Sequence, residues 1–217
     1  MLNRRIAAIV FFFTLGLWLG LGSLVTDARA GLAEGARAIV EEMSADAVQK
    51  LTDQTIDRKA RKQRMREMMN RYFNIEGIAR WVLGRHWRNA TDAERSEYLV
   101  LYEDLMIETY VDRFASYQGE SLTIGKVDIR DGKDAIVSTV FNRPNEDSPI
   151  AVDWRVREYE GTFKVIDIMI EGVSMGQTQR SEFASAIKSV DGDLGAFLSS
   201  LRDRVETASA AAVENTQ

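Results

Sequence analysis

The chain has 217 residues, 45% of them hydrophobic and 28% charged, with 28 lysines and arginines against 33 aspartates and glutamates for a formal net charge of −5. That is one domain's length with material for a packed core. With no cysteine, one histidine (His86) and two prolines (Pro144, Pro149), it excludes disulfide frameworks, thiol catalysis and histidine-built metal centres. Residues 1–5 are short and basic, and residues 6–25 carry no charge. Such a run is long enough to span a bilayer, but Ala28-Arg29-Ala30 supplies the small-x-small pattern of a secretory cleavage site. Residues 1–30 are therefore expected to be a signal peptide cleaved after Ala30, with an uncleaved N-terminal anchor as the alternative. Cleavage removes three arginines and one aspartate, leaving 25 bases against 32 acids, net −7. Bulk charge of that sign does not attract nucleic acid or anionic headgroups.

From 32 to 51, Leu32, Ala36, Ile39, Val40, Met43, Ala47 and Leu51 keep three-four spacing and predict an amphipathic helix. A second helix is predicted over 55–70, where Ile56, Met65, Met68 and Met69 stand against a basic run. Asn74 is placed to cap a short helix carrying Ile75, Ile78, Ala79 and Val82, with Gly84 as its stop. Thr91-Asp92-Ala93-Glu94 forms a capping box. The long helix that follows spreads Tyr98, Leu101, Tyr102, Leu105, Met106, Tyr110, Phe114 and Tyr117 over more than half its circumference, so it is predicted to be packed on two sides.

After Gly119 the period changes to two. Strands at about 121–129, 134–142, 150–159 and 162–171, with Arg130-Asp131-Gly132-Lys133 and Glu160-Gly161 as turns, predict a four-stranded antiparallel meander. The fourth strand is apolar on both sides and is expected to be central. A helix with Phe183 and Ile187, and another capped by Asp193 and carrying Leu194, Phe197, Leu198 and Leu201, close a single domain over 31–206. Residues 207–217 are expected to form a disordered tail.

Gly172-Val173-Ser174-Met175-Gly176 fits G-x-S-x-G between a strand and a helix. No histidine follows Ser174, the single His86 lies 88 residues earlier, and the sheet is antiparallel in pattern, so Ser174 reads as a helix cap. His86 sits among Arg80, Trp81, Arg85, Trp87 and Arg88; a lone histidine in that setting reads as a packing or surface residue, with phosphate binding as the alternative. Arg58, Lys59, Arg61, Lys62, Arg64, Arg66 and Arg71 form a run interrupted by one acid, Glu67. On an acidic protein this is either a solvated helix face or a docking element, for which Arg58, Arg61, Lys62 and Arg66 are the candidates. The pairs Glu158/Glu160 and Asp191/Asp193 fall at turns without the spacing of a calcium loop or an acid–base couple.

Tyr72-Phe73, Ile78-Ala79-Arg80, the run Val82-Leu83-Gly84-Arg85-His86-Trp87-Arg88-Asn89-Ala90-Thr91, Thr109-Tyr110, Val152-Asp153-Trp154-Arg155, Phe163-Lys164-Val165-Ile166-Asp167-Ile168, Ile170-Glu171-Gly172-Val173-Ser174 and Arg180-Ser181-Glu182-Phe183 follow one another in a characteristic order. Together they resemble the MlaC family, the periplasmic phospholipid-binding proteins of the Mla transport system, also called toluene-tolerance proteins. Glu94-Arg95 stands where that pattern has Gln-Arg, and the tail is unusually rich in alanine. The resemblance implies an α+β fold, with a curved antiparallel sheet like that of nuclear-transport-factor-2-like proteins and helices enclosing an apolar cavity. It implies a carrier, not an enzyme, with phospholipid as cargo and no cofactor or metal. It also implies exchange with an outer-membrane lipoprotein complex and with the MCE-domain protein of an inner-membrane ABC transporter, which maintains outer-membrane lipid asymmetry.

The composition suits that role. At about 0.8 kcal/mol per buried CH₂, moving two chains of some sixteen carbons through water costs on the order of 25 kcal/mol, which a carrier must offset with apolar contact. Eight methionines, one of them Met1, supply flexible thioethers that adapt to chains of varied shape. The same residues would also fill a solid core, and the resemblance is what decides for a cavity. Phe73, Ile78, Val82, Leu83, Leu105, Tyr110, Val152, Trp154, Ile166, Ile168 and Val173 are the candidates for its wall.

Overall fold

Side chains that accept the first free amides fix where the helices begin. In a computed structural model that describes residues 21–214 except 145 and 147, the helices are α1 (Leu21–Leu51), α2 (Arg58–Tyr72), α3 (Ile75–Leu83), α4 (Arg85–Asn89), α5 (Asp92–Ala115), α6 (Met175–Ser189) and α7 (Leu194–Glu214). Asp57 accepts the Ala60 amide at 2.7 Å and so starts α2 a few residues later than the apolar pattern suggests. Asn74 accepts from Gly77 at 2.9 Å. The Thr91–Glu94 box closes in both directions, at 3.2 and 2.7 Å. Ser174 and Asp193 accept from Gln177 and Ala196 at 3.0 Å each. α1 extends upstream through Ala28-Arg29-Ala30; residues 1–20 of the expected signal peptide lie outside the described residues. α7 continues to Glu214, through most of the stretch where a disordered tail was expected; the alanines there carry high helix propensity.

The strands β1 (Ser121–Arg130), β2 (Asp134–Asn142), β3 (Ile150–Tyr159), β4 (Thr162–Ile170) and β5 (Val173–Ser174) form one open antiparallel sheet in the order β1-β2-β3-β4-β5. The meander is the predicted one with a fifth, two-residue strand added. That strand arises because Glu171-Gly172 repeats the turn chemistry of Glu160-Gly161: the φ values are 50° and 78° in one and 49° and 81° in the other. Both pairs close two-residue hairpins in which two consecutive residues must take positive φ.

β4 is not central as its composition suggested; it lies next to the end of the sheet. Its apolar residues on both sides come from a register shift. Trp154 of β3 pairs with Ile168 while Val156 pairs with Val165, so four residues of β4 lie opposite three of β3, with Ile166 in the irregularity. Phe163, Val165 and Ile168 thereby all pack on the same side, against the core between sheet and helices. The remaining edge of β4 is covered by a parallel bridge from Phe73 to Val165, reinforced by the Asn74 amide donating to the Val165 carbonyl at 3.0 Å.

Two apolar cores flank α5, as its broad apolar surface predicted. The first joins α1, α2 and the sheet to Ile107 and Val111 of α5. The second joins α3, α6 and α7 to Tyr98, Leu101, Tyr102 and Leu105. Its rings pack edge-on, with Phe183 5.2 Å from Phe197 and 6.3 Å from Tyr98. Tyr98 buries its hydroxyl as a donor to the Ala79 carbonyl at 2.9 Å. α1 comes so near β4 at Gly35 that a Cβ there would collide with the Phe163 ring.

Candidate functional site

A ligand made mostly of hydrocarbon needs an apolar layer between rigid walls. The fold offers that layer between the inner face of the sheet and α1 and α2. Val137, Val156 and Val165 form its floor, fully buried, and Met43, Met65, Met68 and Met69, each 5–8% exposed, form its roof together with Leu32, Ala36, Val40, Leu51 and Tyr72. Trp154 joins the floor because its indole is satisfied there. Nε1 donates to Thr139 Oγ1 at 3.0 Å, and that hydroxyl donates to the Val152 carbonyl at 2.6 Å. Without this relay an inward indole N–H would be a buried unpaired donor.

The expected cavity wall divides between the two cores. Phe73, Tyr110, Trp154 and Ile168 pack against the sheet-side core. Val82, Leu83 and Leu105 are buried in the helical core, with Ile78 against it. Val152 and Ile166 are half-buried in neither core, and Val173 is 55% exposed. Met65, Met68 and Met69 of the roof were legible as an α2 stripe, but nothing in their spacing said that the sheet faced them.

Two hollows flank this layer. One, of about 390 Å³, lies among Leu32, Gly132, Lys133, Arg157 and Glu158. The other, of about 320 Å³, lies where Asn70, Phe73 and Ile75 meet Tyr159, Thr162 and Lys164. Phe73 alone among the expected wall residues borders either of them. In the layer itself the side chains pack on one another.

The basic run of α2 has partners within the chain. Arg58 donates to Glu108 Oε2 and Asp112 Oδ1 at 2.8 Å each. Lys62 pairs with the other Glu108 oxygen, and Arg66 with Asp104 and Glu103. Arg61 is buried, its guanidinium donating to the carbonyls of Leu51 and Asp53 at 2.8 and 3.0 Å. A docking role for these bases would compete with these bonds. The signal for them was in the sequence: acids at 104, 108 and 112 repeat every four residues on α5, as do bases at 58, 62 and 66 on α2, and antiparallel helices bring such rows together.

Ser174 sits at the start of α6, its hydroxyl donating to Asp167 Oδ2 at 2.6 Å. The other Asp167 oxygen accepts the amides of Gly176 and Ile168, at 3.1 and 2.9 Å. His86 contacts Arg85, and its imidazole is held below its usual pKa by burial first and by the Arg85 charge second. Arg80 stacks on Trp87 at 4.8 Å and Arg180 on Trp81 at 4.9 Å. Among the described residues no group of three or more carboxylates or histidines is arranged to hold a metal ion, and no helix is long and apolar enough to cross a membrane.

The model of the MlaC protein family matches residues 38–203. The chain is 22% identical over 162 residues to toluene tolerance protein ttg2D of Pseudomonas putida, covering 69% of this chain and 75% of that protein. Its fold is similar to that of a phospholipid-binding protein from Ralstonia solanacearum solved in complex with a phospholipid. The TM-score is 0.69 at 23% identity, over 80% of this chain and 98% of the other.

Proposed function

Since this chain belongs to the MlaC family, we propose that it is a non-enzymatic carrier that binds glycerophospholipid by its acyl chains. In this reading the carrier works in the periplasm after cleavage at Ala30, and it moves lipid between an outer-membrane lipoprotein complex and an inner-membrane ABC transporter with an MCE-domain protein. The observation that carries the reading is the extent of the family match: residues 38–203 run from α1 into α7 and include the whole sheet and most of both cores.

Two features support it. The apolar layer is roofed in part by thioethers, which repack around chains of different length at little cost. Ser174, the one nucleophile in an enzyme-like motif, is committed to capping α6 and to Asp167. Tails are drawn between sheet and helices against Phe73, Tyr110, Trp154 and Ile168, with Ile78, Val82, Leu83 and Leu105 behind them, Val152 on the middle strand and Ile166 and Val173 toward the sheet edge. The headgroup remains in water, so no buried countercharge is needed. Native mass spectrometry of the purified protein tests this, followed by lipid extraction and chain analysis. Added mass of one or more phospholipids is expected; protein that is empty and takes no lipid from vesicles would end the proposal.

A further inference from the structure

In a carrier of that kind, on which this inference rests, the closed apolar layer has to open, and we infer that α2 is a hinged lid whose latch is the row of carboxylates on α5. Two adjacent stripes of α2 do different work. One lays Met65, Met68, Met69 and Tyr72 on the sheet-side core. The other carries Arg58, Lys62 and Arg66, bound to Glu108, Asp112, Asp104 and Glu103.

The ends of α2 also differ. Its C-terminal end is tied to the sheet: Phe73 bridges Val165, the Asn74 amide bonds the Val165 carbonyl, and Lys164 Nζ donates to the Asn70 carbonyl at 2.9 Å. Its N-terminal end has no strand partner. It is held by the ion pairs to α5, by Arg61 on the carbonyls of the 52–57 loop and of Leu51, and by Arg64 on the Lys50 carbonyl and the Asp53 carboxylate. A rotation about Phe73-Asn74 therefore lifts the N-terminal turns first, and the latch is what resists it.

The contacts beneath suit repeated opening. Thioethers regain apolar contact without one fixed interlocking arrangement, so the methionine face can leave and return, or settle on acyl chains. The latch is graded as well. The Glu108 side chain is 4% exposed and holds two cations, whereas Arg66 and Asp104 are 42% and 31% exposed. Salt screens the outer pair more than the inner one, so rising ionic strength loosens the lid without unfolding the second core.

Hydrogen exchange and lipid uptake, measured on the whole protein, test this together. In Glu108→Gln the amides over 58–66 are expected to exchange at least tenfold faster than in the wild type, with α7 amides unchanged. Uptake of labelled lipid from phosphatidylcholine vesicles, which carry no net charge, is expected to rise by a similar factor. Asp104→Arg, at a part-exposed position, serves where Glu108→Gln does not fold, and Arg66→Asp combined with Asp104→Arg should restore slow exchange. Amides of α2 as protected in these variants as in the wild type would overturn the latch, and so would faster α2 exchange with unchanged uptake. A wild type that takes up no lipid overturns the carrier reading instead, and the hydrogen-exchange arm still judges the latch.

Discussion

The hydroxyl of Ser174 is engaged twice, donating to Asp167 and accepting the Gln177 amide. Ser174→Ala is therefore expected to cost about 0.5–2 kcal/mol of stability, the range for a lost helix cap, with no change in hydrolysis of an ester substrate; urea denaturation and an esterase assay check the two halves. Asp134 carries a different prediction. Its side chain is 3% exposed beneath Arg155 and Arg157, whose Nε atoms donate at 2.6 and 2.5 Å. Burial alone would raise its pKa, but the hydrogen bonds from Arg157 and Arg155 outweigh that and hold it below the usual carboxylate range. The unfolded chain then takes up this proton first as pH falls. The stabilisation is complete above about pH 4, near the unfolded carboxylate value, and is lost below it as the folded value is approached. Urea midpoints measured from pH 6 down to pH 2 are expected to fall more steeply for the wild type than for Asp134→Asn; parallel curves would refute this. Caps such as Thr91–Glu94 were legible in the sequence because both partners lie within one turn, whereas the partners of Asp134, 21 and 23 residues away, depended on a register that composition does not specify.

At the scale of elements, spacing revealed the helices and the meander, and it revealed that α5 would be covered on two sides, since periodicity is local and amphipathic faces must be buried. It did not reveal the short α4, β5 or the position of β4. The apolar residues of β4 suggested a central strand, yet a register shift around Ile166 produces the same composition at the sheet's margin. The basic run of α2 likewise read as a free face until α5 was placed beside it. Close approaches were also hidden, and Gly35 is one. In an isolated helix Gly→Ala is favourable by about 1 kcal/mol, but here the added Cβ meets the Phe163 ring. Gly35→Ala is expected to destabilise by about 1–3 kcal/mol, the usual cost of overpacking. Adding Phe163→Leu should recover part of that loss, so a double-mutant cycle by thermal or urea unfolding should give a clear coupling between the two sites.

For the whole molecule, binding of cargo to the folded state alone is linked to stability. At free lipid one hundred times Kd the gain is about 2.7 kcal/mol, which for a chain of this length raises Tm by roughly 5–10 °C. Delipidated protein is expected to melt lower by that amount and to recover when mixed with phospholipid vesicles; identical melting curves before and after delipidation would contradict a buried cargo. The methionine roof has one more consequence, a chemical one. Oxidation turns each thioether into a polar sulfoxide that no longer belongs against hydrocarbon, and Met43, Met65, Met68 and Met69 are shielded from peroxide while the layer is shut. The softness that lets the roof adapt to its cargo therefore makes each opening a chance of damage, and sulfoxide accumulating at these four positions would record how often the protein has been open without lipid.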